Sequence, residues 1–185
     1  AVILYAQLDC LLGSYQEASH LIEAELARQA PGPAKGLAEL QLTLHFITAL
    51  RGAPQTPGLA GNCVRMTQLD ADRPTEAGAL AALAAEHLRD GEFAAAATAV
   101  DKSSSIVDQL SDTHLDRHVQ YIGMLAWAEL SLDRFADARR HFHRGIALAR
   151  HAGRHHQAPR LLLGLSTAFY RMGPIGRARQ AAAEA

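Results

Sequence analysis

Cysteine, aromatic rings and strand-like patterning are all scarce in this 185-residue chain. The two cysteines, Cys10 and Cys63, stand far apart with no CxxC spacing, so they offer neither a disulfide framework nor a thiolate zinc site, and a reduced, cytoplasmic setting is expected. Cys10 falls inside a helical pattern, where a small buried thiol is the expectation. No stretch alternates Val, Ile or Thr with polar residues, which excludes the half-buried strand. No run of 18 apolar residues occurs: the opening AVILYAQLDCLL is interrupted by Gln7 and Asp9 and has neither a basic leader nor a cleavage site, so no membrane span and no signal peptide is read there.

Catalytic and cofactor motifs are missing too. The one glycine and lysine cluster, PGPAKGLAE, does not supply the GxxxxGK and following Ser or Thr of a phosphate loop, and HExxH and GxSxG do not occur. Of the ten histidines, His114 with His118 and His151 with His155 stand one helical turn apart. Zinc would need a third and usually a fourth ligand; Leu115 and Asp116 follow His114 where HExxH has its glutamate, and no carboxylate lies in the His151 to His156 stretch, so solvated helix ends are the expectation, with His151 well placed for a helix C-terminus. No metal, no cofactor and no catalytic residue is therefore assigned, and the chain is expected not to be an enzyme.

What is present is a repeat. Taking Tyr15, Phe93, Phe135 and Ile175 as anchors, Val2, Leu80, Ile122 and Leu162 stand thirteen residues upstream. Tyr5, Leu83, Leu125 and Leu165 stand ten upstream; Ala6, Ala84, Ala126 and Ser166 stand nine upstream. Three downstream every copy has alanine, Ala18, Ala96, Ala138 and Ala178, and seven downstream come Ile22, Val100, Phe142 and Ala182. These offsets share helix faces on either side of the anchor, so each copy is a pair of helices joined by a short turn. Gly13, Gly91 and Gly173 mark three of the turns, where a positive φ is needed, and Asp133 takes the fourth. Pro174 suits the first turn of the next helix. Small residues at minus nine and plus three would let the helices approach closely while the anchor ring fills the crotch.

The anchors are spaced by 78, 42 and 40 residues, and the first interval has room for a degenerate copy anchored on Leu59 or Gly58. The spacing predicts helices over 1–12 and 15–29, 36–51 and 58–70, 76–89 and 92–110, 113–132 and 135–152, 156–172 and 175–185. APGPAKG and DADRPTE mark breaks, and Ser103, Ser104 and Ser105 mark a weak helical stretch. The expected fold is all-α: a right-handed superhelix of about five antiparallel helical hairpins, an α-solenoid forming a single domain over 1–185. Because the chain begins and ends inside helical patterns, it is expected to be part of a longer protein.

Charge is lopsided. Residues 1–133 hold 8 Lys or Arg against 17 Asp or Glu, whereas residues 134–179 hold ten arginines against Asp137 alone. Three arrangements account for this: a solvated basic face, head-to-tail self-association of an acidic front with a basic rear, or an acidic partner such as nucleic acid. The last is the weaker, since Phe135, Phe142 and Phe169 fall in packing columns and are poor stacking platforms for bases. In stacked hairpins the first helix of each pair lines the concave face, and its non-packing positions select Arg89, Gln120, Trp127, Leu130, Ser131, Arg160, Thr167, Tyr170 and Arg171 as a partner groove. Trp, Tyr and Arg are the residues that dominate binding hot spots. Two readings of Trp127 stay open, groove or plug of the superhelix.

The L-A before the turn and F-x-x-A after it resemble the tetratricopeptide repeat (TPR), although about 40 residues per copy exceeds the usual 34. Within that class, LSLDRFADARRHFHRGIALARHAGRHHQAPRLLLGLSTAFYRMGPIGRARQAAAEA resembles the repeat region of large bacterial LuxR-type regulators related to the maltose regulator. That resemblance implies a sensor region that binds an inducer or a protein in its groove and couples it to regulator assembly. It also implies an ATP-binding module and a DNA-contacting domain outside these residues. A TPR scaffold in another multidomain protein is the alternative. If the plus-three column is a helix-helix contact, Ala138→Leu should cost about 1–3 kcal/mol by overpacking, read as a lower denaturation midpoint.

Overall fold

The computed structural model describes residues 2–28 and 36–185, and among these every regular element is helical. In chain order they are α1 (Val2–Leu11), α2 (Tyr15–Arg28), α3 (Leu37–Leu50), α4 (Leu59–Leu69), α5 (Arg73–Arg89), α6 (Phe93–Gln109) and α7 (Asp112–Leu115). Then follow α8 (Val119–Ser131), α9 (Phe135–His151), a 3-10 turn (His155–Gln157), α10 (Ala158–Met172) and α11 (Ile175–Glu184). The chain divides into two compact units, Ala1–Asp72 and Arg73–Ala185. In the first, α1, α2 and α3 enclose Ala6, Ala18, Ile22, Leu40 and Ile47, and Arg51 reaches back to donate to the Ser19 hydroxyl at 3.3 Å. The second unit is three hairpins, α5/α6, α8/α9 and α10/α11, each joined by a short turn.

The repeat columns explain why the hairpins close. Ala84 and Ala96, like Ala126 and Ala138, are wholly buried where the two helices of a hairpin touch. Gly13, Gly91 and Gly173 all have positive φ, and Asp133 adopts the same left-handed backbone at φ +59°. Asp tolerates that region better than most residues because of its short polar side chain, and here its carboxylate is held by Arg171 at 2.8 Å.

Several expectations are corrected. Two of the anchors do not fill the crotch, Phe93 being 63% and Ile175 58% exposed, whereas Tyr15 packs against the core of the first unit and Phe135 is half-buried beneath Arg171. They begin the second helix of each hairpin, at its outer end, while the buried filler is the plus-seven residue, Ile22, Val100 or Phe142. In the degenerate copy Leu59 begins α4, as the other anchors begin their helices, and the residues buried behind it are Ala60, Cys63, Val64 and Thr67. The DADRPTE break is shorter than expected, because α5 starts at Arg73, with Pro74 accommodated in its first turn. The helix expected over 113–132 is two: the chain turns after Leu115, burying that side chain, and resumes at Val119. The APGPAKG break lies, apart from Gly36, outside the described residues. The serine stretch stays helical within α6, and the wholly buried Ser103 donates to the Ala77 carbonyl at 2.8 Å and ties α6 to α5.

Successive hairpins meet through large side chains seated on glycine. A methyl group placed on Gly164 of α10 would overlap the Phe142 ring of α9, and one on Gly78 of α5 would overlap the Tyr121 ring of α8. Leu161 of α10 sits against both Gly123 and Gly145, where an added methyl would be 3.0 and 3.2 Å away. Gly164→Ala should therefore destabilise the chain by about 1–3 kcal/mol through overpacking, measured by urea denaturation. Phe142→Leu in the same molecule should recover part of that loss, and costs that simply add in the double-mutant cycle would count against the contact.

Candidate functional site

The arginines of residues 134–179 are largely spent inside the molecule. Arg134, at the N-terminal end of α9, pairs with Asp101, and Arg140 of α9 pairs with Asp108, both carboxylates belonging to α6. Arg144 donates to the carbonyls of Val107 and Leu110, both at 2.7 Å, and to Asp112 at 2.8 Å, so one guanidinium closes the C-terminal end of α6. Arg150 meets Glu184 at 3.0 Å, and Arg171 meets Asp133 while lying 5.3 Å above the Phe135 ring. Arg177 lies 5.9 Å above Phe169. The acidic half and the basic half of the sequence thus include the two sides of a ladder between successive hairpins. The charge asymmetry needs no outside acidic partner to explain it.

Beneath the ladder is a buried polar cluster that sequence reasoning missed. His141, wholly buried on α9, places Nδ1 2.7 Å from the Glu129 carboxylate of α8 and Nε2 3.3 Å from Asp108 of α6. Burial raises the Glu129 carboxyl above the ordinary glutamate value against the opposing His141 hydrogen bond. At Asp108 burial also pushes upward, but hydrogen bonds from Arg140 and His141 outweigh it and hold that carboxyl below its usual value. The cluster links three helices, with Glu129 and His141 buried and Asp108 at the surface. Its only sequence signal was that Glu129 and His141 fall on the packed faces of α8 and α9.

The residues selected as a groove do not form one site. Leu130 is core, 6% exposed; this corrects its assignment, because its position on α8 turns it into the packing. Trp127 is half-buried, with its ring edge-on to Phe142 at 5.7 Å, and its buried Nε1 finds no hydrogen-bond partner. The ring is therefore part of the α8/α9 packing as well as of the surface. Ser131 turns its hydroxyl back to the Trp127 carbonyl at 2.9 Å. Gln120 is half-buried, Arg89 and Arg160 are exposed, and Arg171 is tied to Asp133 and Phe135.

Thr167 and Tyr170 are brought together. With Ser166, Ile175, Ala178, Arg179 and Ala182 they line an open trough of about 410 Å³ between α10 and α11. Tyr170 is 67% exposed. The Ser166 hydroxyl donates to the Ala178 carbonyl and that of Thr167 to Leu163, leaving Arg179 as the only charged side chain of the lining. Sequence reasoning had put Ser166, Ile175, Ala178 and Ala182 in packing columns. That holds for Ala178, which is buried, and in part for Ser166, whereas Ile175 and Ala182 are exposed; Phe142, the counterpart of Ala182 in α9, is wholly buried.

The trough lining contains no histidine, cysteine or carboxylate. Among the described residues no group of three or more His, Cys, Asp or Glu is placed to hold a metal. His114 instead meets the Ser111 hydroxyl at 2.7 Å, and His118 stacks on Tyr121 at 5.3 Å. Both cysteines are free, and burial, with Asp9 beside it, pushes the Cys10 thiol up to about 11, far from a reactive thiolate. Among the described residues no helix is long and apolar enough to cross a membrane.

Solved structures with the same fold are TPR-like repeat proteins. One is a Podospora anserina protein described as a putative kinesin light chain with nearly identical TPR-like repeats, 17% identical, at a TM-score of 0.54, over 99% of this chain and 90% of that one. A point variant of that protein matches over 97% of this chain and 89% of the variant, also at 17% identity and a TM-score of 0.54. No protein-family model and no curated protein matches the sequence. The fold is an α-solenoid of TPR-like hairpins.

The Asp108 shift sets a pH dependence. A carboxyl held below its unfolded value contributes stability that is complete above the ordinary aspartate value of 3.8 and is lost as pH falls through the depressed one. The stability difference between the wild type and Asp108→Asn should therefore be present at neutral pH and close on acidification below that range, as read from urea midpoints across pH.

Proposed function

We propose that this chain is a non-catalytic TPR-like scaffold, acting as one repeat domain over 1–185, that holds a helical segment of a protein partner in the trough between α10 and α11. The observation that carries this is the trough itself. It repeats, on the fifth hairpin, the surface on which the fourth hairpin receives α10, and it is floored by Ile175, Ala178 and Ala182 with Tyr170 standing at its edge. Exposed aromatic and aliphatic side chains around a concavity are what a partner helix buries, and an aromatic at such a place commonly carries a large share of the binding energy. Arg89, Gln120, Trp127, Ser131, Arg160 and Arg171 remain proposed secondary contacts on the same unit; Leu130 is withdrawn.

The narrower reading, an inducer-sensing region of a LuxR-type regulator with its DNA-contacting domain elsewhere, rests on the sequence resemblance alone. The scaffold reading is the better supported, because the fold is that of TPR-like repeats. A panel of displayed amphipathic helical peptides, followed by fluorescence anisotropy on the selected binder, tests it. Tyr170→Asp should weaken binding by about tenfold or more, roughly 1.4 kcal/mol, with the far-ultraviolet circular dichroism unchanged. Binding indifferent both to Tyr170→Asp and to Ala182→Trp would remove the trough as the site.

A further inference from the structure

Helix α1 has apolar residues on two opposite faces. Val2, Ile3, Ala6 and Cys10 pack into the core of the first unit. The other side carries Leu4, Tyr5, Leu8 and Leu11, with Leu12 just beyond, and all five are exposed, between 42% and 80%. Leu4, Leu8 and Leu11 recur at i, i+4 and i+7, so they form one stripe. A helix apolar all round is ordinarily buried all round, and a stripe of this width on a surface marks an interaction site.

Repeat register identifies what the stripe fits. Relative to the anchor Tyr15, Leu4, Leu8 and Leu11 occupy offsets minus eleven, minus seven and minus four. In α10 those offsets are Gly164, Ala168 and Arg171, the face that α10 turns to the fourth hairpin: Gly164 lies under the Phe142 ring and Arg171 over Phe135. The receiving positions, Phe142 at plus seven and Phe135 at the anchor, are Ala182 and Ile175 on the fifth hairpin, both exposed in the trough. Size is exchanged across the pair. Inside the molecule a glycine receives a phenylalanine; across the open surfaces Leu4 would face Ala182, and Leu11 would face Ile175. The single charge on α1, Asp9, is opposite in sign to Arg179, the single charge of the trough.

We infer that α1 of one copy docks in the α10/α11 trough of another, continuing between molecules the hairpin-on-hairpin interface that the second unit forms within itself. This rests on the trough being a helix-docking site, as proposed above, and names its occupant as a second copy. The contact is heterologous, joining the α1 face of one copy to the α10/α11 face of another.

Sedimentation equilibrium on the whole chain tests it. The wild-type weight-average mass should rise with concentration from micromolar to submillimolar. A front variant, Leu8→Asp, and a rear variant, Tyr170→Asp, should each associate at least about tenfold more weakly and sediment as monomers. Mixed together they should give a one-to-one dimer, since the first keeps its trough and the second its α1 stripe. That mixture is also the folding control, and Leu4→Asp provides a second front variant. A wild type that stays monomeric overturns the inference, as does a mixture that stays monomeric. Association lost in Leu8→Asp but untouched in Tyr170→Asp would place α1 against another α1 and overturn it too. Peptide binding at the trough without self-association sinks this inference alone, whereas loss of both sinks the docking role with it.

Discussion

The second unit depends on a few places where a bulky side chain of one hairpin rests on a glycine of the next. Gly164 beneath Phe142 and Gly78 beneath Tyr121 bring helices to distances that no Cβ would permit. Glycine inside a helix costs about 1 kcal/mol relative to alanine, whereas fully burying a side chain such as Phe142 contributes about 1.5–3 kcal/mol. Burial outweighs the local penalty, and only when the ring lands on the glycine. The same contacts that stabilise the stack also fix its register.

Polar groups then refine what the glycines permit. Exposed pairs such as Arg134 with Asp101 contribute about 0–1 kcal/mol each, so the ladder between α6 and α9 does little for stability by number alone. Arg144 differs, because two of its acceptors are carbonyls at the open end of α6, groups that a helix otherwise leaves to water. The Glu129–His141 contact is different again: both side chains are buried, and loss of either would leave the other without its partner. For function the consequence is subtraction. With these arginines engaged internally, the recognition surface we propose is the trough of α10/α11, with Tyr170 and Arg179 at its side.

Much of this fold was legible because one hairpin is a local object. Turn glycines, the alanines at minus nine and plus three, and the apolar faces recur at fixed offsets, and each reflects a contact between residues close in sequence. Interfaces between hairpins were legible only in part. Gly78, Gly123, Gly145 and Gly164 stand mid-helix, where glycine is locally unfavourable; that was the available signal, and it went unused because the side chain each one receives lies some 16 to 43 residues away. The anchor residues were misjudged for a related reason. Recurrence showed that the position matters, but not that Phe93 and Ile175 lie at the outer ends of their helices instead of between them. The groove selection took in Leu130, which is core, together with Thr167 and Tyr170, which line the trough, because one periodicity describes covered and uncovered hairpins alike.

Sequence by itself determined the helical class, the hairpin as building block and the turn chemistry, since these follow from intervals of a few residues along one chain. Tertiary structure alone decided that the basic and acidic halves face each other as a ladder, that His141 is enclosed between two carboxylates, and that the plus-seven position of the fifth hairpin, Ala182, lies open. The reason is that burial belongs to a neighbour: identical columns are core where another helix covers them and surface where none does, and periodicity does not carry that difference.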